Sequence, residues 1–548
     1  MRRRLLFVAA ACAATAVAGA PRVVVSSATG GGVAAARAAA RAGASVTLVG
    51  ATGGGGTGDH IGGMVTGGLQ HTDCGNASVI GGIAREFFER VERQYPNRST
   101  DPGLQPCTGP PCWLFEAHVA ERVMREMLAE ASVLVAAGQE GVAGVAVAAR
   151  RVTQLTTVAG GVFAGDVFID ASYEGDLLAA AGATMASGRE AAAQYGEPGA
   201  GVRPFIDVDQ LPQGIDPFWP SGELLPLLTT AAFAPVGSAD DLLESFSYRL
   251  CMTRSPSRRV PVAMPEAYNA STFELFRRYF AVAPGASRST FLACLGPIPS
   301  LNTSDCPPDD GSRWCKCDMI SGGPLGTDFV GGSRGWSNAT VAARRAIAQA
   351  NADYVAGVVW FLTHDDAVPA AVRADMADYG LCADEFADTT PRFFPHQLYV
   401  RESRRLVGDF VLTQLAPPAA LANRSIGLGS YVYDSHTVQR GVRSTPSGGK
   451  EAVNEGEIMG GIEQPPYRIP YDALLPARAE LENVLAAVPV SASHVAFTSL
   501  RMEPTWMIMG HAAGAAAAMA ARNGGAVHDV DVGALQAALV AAGQRIVE

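Results

Sequence analysis

The sequence predicts an α/β fold, doubly wound about a parallel sheet, and three observations predict it. Val23-Val24-Val25 is a β-branched run of the kind that forms a buried strand. Gly30, Gly31 and Gly32 follow, and they let the chain turn sharply and approach another group closely. An Ala- and Arg-rich stretch, Val33 to Ala42, then leads through Gly43 to a second apolar run, Ser45 to Val49. Ala and Arg are strong helix formers, and Gly43 supplies the stop. The order is strand, glycine turn, helix, strand.

A helix that starts beside such a turn directs unpaired N–H groups and a partial positive charge at its neighbour, and a pyrophosphate suits that place. The usual G-x-G-x-x-G pattern carries an acid about 20 residues further on. Here Ser27 and Thr29 stand at the first two glycine positions, and only Gly32 keeps the third. Gly50 stands where the acid is expected.

Further elements follow in order. Ile80 to Tyr95 reads as an amphipathic helix with Ile83, Phe87, Phe88 and Val91 near one face, and Phe115 to Ala131 reads as another. Val142 to Ala149, Val152 to Val158 and Val162 to Ile169 read as a small antiparallel meander. Asp170 to Asp176 then opens a helix from Leu177 to Ala181. From Gly188 to Arg424 the chain is Pro-rich and irregular, with one clear helical stretch, Asn338 to Trp360. The last strong element is a helix from Pro504 to Arg522, with Pro in its favoured first turn. Gly510 and Gly514 share one bare face of it, suited to close packing or to a flat ligand.

The chain has 548 residues, a formal net charge of −11 and 17% charged residues, so it is globular and no dense basic surface marks it for nucleic acid. Arg2-Arg3-Arg4, the apolar run Leu5 to Ala18 and small residues to Ala20 have the parts of a secretory signal. That run is too short for a stable membrane span. Sequons at Asn76, Asn97, Asn269, Asn302, Asn338 and Asn423 point the same way, to a glycoprotein that is secreted or held in the secretory lumen. Cys107 with Cys112, and Cys306, Cys315 and Cys317, lie in loop-like stretches that suit disulfides in an oxidising compartment. No cysteine spacing fits an iron–sulfur cluster, and no metal site is expected.

Several stretches, in order, resemble one family: His60 to Leu69, Thr72 to Asn76, Ile80 to Phe87, Phe115 to Glu121, Phe168 to Leu177, Gly188 to Glu190, Pro395 to Glu402, Ser491 to His494 and Arg501 to Pro504. Together they resemble the FAD-dependent oxidoreductases, a family that includes flavoproteins related to heterodisulfide reductase. The resemblance implies a Rossmann-like FAD/NAD(P)-binding domain assembled from discontinuous segments (21–190 and 425–548, after a signal at 1–20), with a second α+β substrate domain at 191–424. It implies FAD, held by Ser27, Thr29, Gly30, Gly31 and Gly32 at the pyrophosphate, and by Gly62, Gly63, Met64, Gly67, Gly68, Asp170, Glu503, Gly510 and Gly514 elsewhere. The missing glycine at Ser27 and the missing acid at Gly50 are departures from the family pattern.

A flavin would supply the redox chemistry, and the protein the orientation and proton handling. His71, His396, Arg401 and His511 are the candidate acid–base residues, each with a plain reading as a buried, hydrogen-bonded group. Cys74 lacks a C-x-x-C partner. The expected activity is hydride transfer from a small organic substrate to flavin. A flavin-free ligand-binding descendant of the fold and a non-redox polysaccharide lyase remain as alternatives. A bulky residue at Gly32 is expected to strip the cofactor by blocking a phosphate.

Overall fold

The structure, a computed structural model, describes residues 19–50, 59–95, 113–298, 316–415, 417–458 and 465–547. The expected leader, the Asn97 and Asn302 sequons, and Cys107, Cys112, Cys306 and Cys315 lie outside the described residues.

The first strand, β1 (Arg22–Ser26), lies in a five-stranded sheet and runs parallel to β2 (Ser45–Val49) with Val25 opposite Leu48. Between them α1 (Gly30–Arg41) starts at the glycine turn, where Thr29 caps it by accepting from the Gly32 N–H. Two amphipathic helices, α2 (Gly82–Glu92) and α3 (Ala117–Glu130), bury their Ile, Phe, Val and Met faces. The chain then adds the edge strand β3 (Leu134–Ala136) beside β2. An antiparallel meander follows: β4 (Val142–Ala148), β5 (Arg151–Thr157) and β6 (Val162–Ala164).

The run from Val162 to Ile169, expected as one strand, is two. After β6 the chain turns at Gly165-Asp166, and β7 (Val167–Asp170) joins the parallel sheet on the free side of β1. Asp166 drives the break: it takes the backbone N–H of Arg22 at 2.8 Å and pairs with its guanidinium at 2.7 Å. The strand Val484–Ala486 pairs in parallel with β7 from more than 300 residues further along, so the sheet is built from discontinuous segments, as expected.

The last long helix, Glu503–Arg522, packs directly on α1. A Cβ on Gly510 would lie 2.1 Å from the Gly31 carbonyl oxygen, and one on Gly514 2.1 Å from that of Ala35. Both glycines therefore serve backbone-to-backbone helix packing; they do not face a ligand.

The region expected to be irregular holds a second sheet. Five antiparallel strands run in the order Arg259–Val260, Gly380–Cys382, Leu250–Thr253, Lys316–Ser321 and Leu292–Ile298. Helices Glu274–Val282 and Val341–His364 accompany it. Disulfides join Cys251 to Cys382 and Cys294 to Cys317. Cys74 is a free thiol whose pKa burial raises to about 12, which leaves it unreactive near neutral pH. Among the described residues no helix is long and apolar enough to cross a membrane.

Candidate functional site

Two regions flank the Gly62–Gly68 segment, at the ends of β1 and β7 on one side and at His396 on the other. The first is the crevice at the glycine turn. The N-termini of α1 and of the Glu503–Arg522 helix converge on it, as the sequence predicts: a Cβ on Gly30 would sit 2.7 Å from Glu503 Oε2. The space between them is filled by side chains. Tyr173 Oη accepts from the Met64 N–H at 2.9 Å and donates to Glu503 Oε1 at 2.9 Å. Its ring lies 5.1 Å from that of Trp506. Burial pushes the Glu503 carboxyl up to about 8, with the Tyr173 hydrogen bond acting against it.

The nucleotide side of the crevice is equally full. Thr29 Oγ1 accepts from the Gly32 N–H at 3.1 Å and donates to the Ala171 carbonyl at 2.7 Å, so it occupies a donor that a phosphate would use. Ser27 holds φ +78°, a left-handed conformation that favours glycine, and its buried hydroxyl has no hydrogen-bond partner among the described residues. Gly50 lacks the acid, and a Cβ there would meet the Gln139 carbonyl oxygen at 2.5 Å. The cavity that remains beside Ser26, Ser27, Gln139 and Glu174 measures about 30 Å³. Glu174 is buried there with both carboxylate oxygens unpartnered among the described residues, and burial raises its pKa to about 7.

Gly32 is also explained locally. A Cβ there would lie 2.1 Å from the Ser27 carbonyl oxygen, so the turn itself requires glycine whether or not a phosphate is near.

The second region is a cavity of about 590 Å³ on the far side of the Gly62–Gly68 segment, lined by His60, Thr66, His118, Glu121, Phe386 and His396 among others. Gly67 permits the contact with this segment, since a Cβ there would meet Gln397 Cβ at 2.3 Å and His396 Nε2 at 2.9 Å. The imidazoles of His60 and His396 stack with centroids 4.0 Å apart and planes 3° apart. They are electrostatically opposite. His60 Nδ1 bonds Glu121 Oε2 at 2.9 Å, and this hydrogen bond raises the His60 pKa above 6.5 despite burial. His396 is buried, has neither ring nitrogen partnered among the described residues, and is held down to about 3 by burial and then by the neighbouring His60 charge.

Burial raises Glu121, but the His60 hydrogen bond and the charges of His60 and Arg125 outweigh it and lower its pKa to about 2. Lys316 underlies the cavity, with Nζ 2.6 Å from Glu116, 3.0 Å from Asp384 and 3.0 Å from Glu385. Glu385 also takes His118 Nδ1 at 2.9 Å. Glu116, His118 and Glu385 have ligand atoms close enough to hold a cation, and the Lys316 ammonium already supplies one.

Of the expected acid–base residues, only His396 reaches this cavity. His511 packs against Gly82, takes the Ile83 N–H at 3.4 Å, and is lowered to about 4 by burial. Arg401 is buried in the second region of the chain, bonded to the Ser245 carbonyl and 3.0 Å from Asp328. His71 lies in a bridge to Leu114, its backbone N–H on Asp318 at 3.1 Å. Asp170 accepts from the Ser172 and Leu178 N–H groups and so orders the turn into the Asp176–Ala181 helix. Gly68, at φ +132°, gives way to the Arg249 carbonyl. His60, Glu121, Tyr173 and Lys316 went unassigned from sequence. Glu121 and Arg125, four apart on α3, were the readable signal for a charged face.

A parallel sheet with a glycine turn, two helix N-termini aimed at one crevice and a second sheet domain define a dinucleotide-type oxidoreductase scaffold. The chain belongs to the FAD dependent oxidoreductase family, whose profile matches residues 22–539. FAD is the cofactor of that family. Solved structures similar to parts of it include THI4 of Thermovibrio ammonificans (16% identity, 29% of this chain and 59% of that one, TM-score 0.22). They also include L-proline dehydrogenase from P. horikoshii (14%, 31% and 58%, 0.23) and the anhydrotetracycline hydroxylase OxyS from Streptomyces rimosus (13%, 34% and 36%, 0.20). The chain spans 44% to 59% of the length of the first three solved structures it matches. No curated protein matches it.

In this arrangement the chain's own side chains occupy the crevice at the glycine turn. Tyr173 and Glu503 stand between the Gly62–Gly68 segment and α1, Thr29 holds the Gly32 N–H, and the Gln139 carbonyl abuts Gly50.

Proposed function

We propose that the protein oxidises a small organic substrate bound in the His60–His396 cavity, and that it does so outside the cell or in the secretory lumen. The reaction class, hydride transfer to flavin, comes from family membership. The domain limits 21–190, 191–424 and 425–548 stand as part of this reading. One observation carries it: a 590 Å³ cavity joins a carboxylate-backed imidazole and a neutral one at the Gly62–Gly68 segment. His60, whose imidazolium Glu121 stabilises, takes up a substrate proton. His396 stays neutral across the working range and offers a lone pair or an N–H without adding charge. Lys316 with Glu116 and Glu385 fixes the floor.

The test expresses the full chain through a secretory route and screens small alcohols, amines and hydroxy acids for substrate-dependent reduction of an acceptor dye. Turnover that His60→Ala abolishes supports the reading. Turnover indifferent to His60→Ala, or none with any class, ends it.

A second reading, a flavin-free ligand-binding descendant, is favoured by the filled crevice. Release and identification of any chromophore from the purified chain separates the two.

A further inference from the structure

We propose that Glu244, Glu402 and His494 hold a first-row divalent cation, of the Zn²⁺ or Mn²⁺ kind, as a buried clamp between the second sheet's part of the chain and the C-terminal helices. The site is separate from the chemistry proposed above: none of the three residues lines the His60–His396 cavity or the small cavity beside Ser27.

The three positions lie 158 and 92 residues apart, so no ligand spacing announces them in the sequence. Their exposures are 1%, 2% and 1%, and one ligand atom from each lies within 4.8 Å of the others. His494 opens the helix His494–Leu500, which leads directly to the Glu503–Arg522 helix. The Glu244 backbone N–H donates to Glu402 Oε1 at 2.8 Å, which fixes that carboxylate with Oε2 beside the imidazole. Glu402 Oε2 and His494 Nε2 are 3.2 Å apart, yet they are not aligned as donor and acceptor. Oε2 and both ring nitrogens lack hydrogen-bond partners among the described residues. Two ligands of one ion stand in this relation: with metal bonds of about 2.1 Å they lie roughly 3.0–3.5 Å apart and point at the ion, not at each other.

Charge points the same way. Buried carboxylates are costly unless they are paired or bind a metal. Arg405 and Arg501 stand among Glu190, Glu244, Glu402 and Asp434. Arg405 reaches Glu190 at 2.6 Å but stops 3.5 Å from Glu402. Arg501 reaches the Asp434 carbonyl at 2.6 Å but stops 3.5 Å from Glu244. Four formal negative charges thus meet two positive ones, and neither guanidinium hydrogen-bonds the two carboxylates grouped with His494. A divalent ion makes up the difference. The Glu116–His118–Glu385 group is the contrast, because there Lys316 Nζ lies 2.6 Å from Glu116 and supplies the cation itself. Two carboxylates with one imidazole suit Zn²⁺, Mn²⁺ or Fe²⁺, whereas Ca²⁺ takes oxygen ligands throughout.

The test uses the full-length, disulfide-bonded protein. It is stripped with a chelator, reloaded with Zn²⁺ or Mn²⁺, dialysed against metal-free buffer, and read by elemental analysis and thermal melting. Wild type is expected to keep one equivalent per chain of at least one of the two metals, with Tm about 5 °C above the stripped form. Ca²⁺ is expected to give neither. His494→Ala is expected to lose the ion and the Tm gain, while His364→Ala, at an exposed histidine, keeps both. If His494→Ala does not fold, His494→Gln decides, with affinity at least tenfold below wild type. Wild type that retains neither metal and melts unchanged overturns the clamp. So does a folded His494 variant that binds as tightly as wild type.

Discussion

The crevice at the glycine turn and the cavity behind the Gly62–Gly68 segment are neighbours, yet they are built on opposite terms. The crevice keeps the family's backbone: parallel strands, two converging helix ends, and glycines wherever two main chains touch. Its interior holds the chain's own Tyr173, Glu503 and Thr29, and the cavity beside Ser27 and Glu174 measures about 30 Å³. The cavity has no such backbone signature, but holds about 590 Å³ and a set of groups poised on both sides of neutrality. Chemistry must be sought where volume and titratable groups coincide.

The largest expected effect tests the backbone half of this contrast. Gly32→Val forces a Cβ to within 2.1 Å of the Ser27 carbonyl oxygen. It should destabilise the fold by about 3 kcal/mol or more, since overpacking against backbone has no soft neighbour to yield. Gly144→Ala, where nothing lies within 4 Å, is the control and should stay within about 0.5 kcal/mol of wild type. Urea midpoints check both. Equal midpoints would mean that the turn does not need its glycine.

Next, His60→Ala should cost roughly 10²–10⁴-fold in kcat, the usual range for a lost general acid–base group, whereas His511→Ala should leave turnover unchanged. His511 lies away from the cavity, against Gly82 and Gln544. Similar losses in the two variants would erase the distinction between the regions.

The third prediction concerns pH. Glu503 has a folded pKa raised from 4.5 to about 8 by burial, so its contribution to stability is full below pH 4.5 and is lost as pH rises to about 8. Glu174, raised to about 7, acts with the same sign. His396 and His511 are depressed, so their contribution is full above 6.5 and is lost as pH falls towards 3 and 4. Stability should thus peak in mildly acid solution, and Glu503→Gln should flatten the alkaline side of a Tm-against-pH curve. An unchanged alkaline slope would place the titration elsewhere.

The smallest effect is the most local. NMR titration should show His60 with a pKa above 6.5 that falls in Glu121→Gln, and His396 with no titration until about pH 3. Matching titrations of the two stacked rings would show that Glu121 does not set them apart.

Much of the first domain was legible. Val23 to Val25, the three glycines and the Ala-rich helix are local signals, and local signals survive into structure as β1 and α1. The helices at Ile83 and Val119 showed through their apolar period. The split of Val162–Ile169 was not legible, because it depends on Asp166 meeting Arg22, 144 residues away. Nor was the second sheet, whose strands of two to seven residues are too short and too broken by Pro and Cys to carry a period.

Sequence by itself determined the scaffold: backbone propensities, apolar spacing and glycines at contact points act over a few residues and can be read there. Only the tertiary structure decided what fills it. The meeting of Tyr173 with Met64 and Glu503, and of His60 with Glu121 and His396, joins residues 61 to 336 positions apart. Burial and pKa are properties of that meeting, because the dielectric around a group and the charges beside it exist only once the chain has packed.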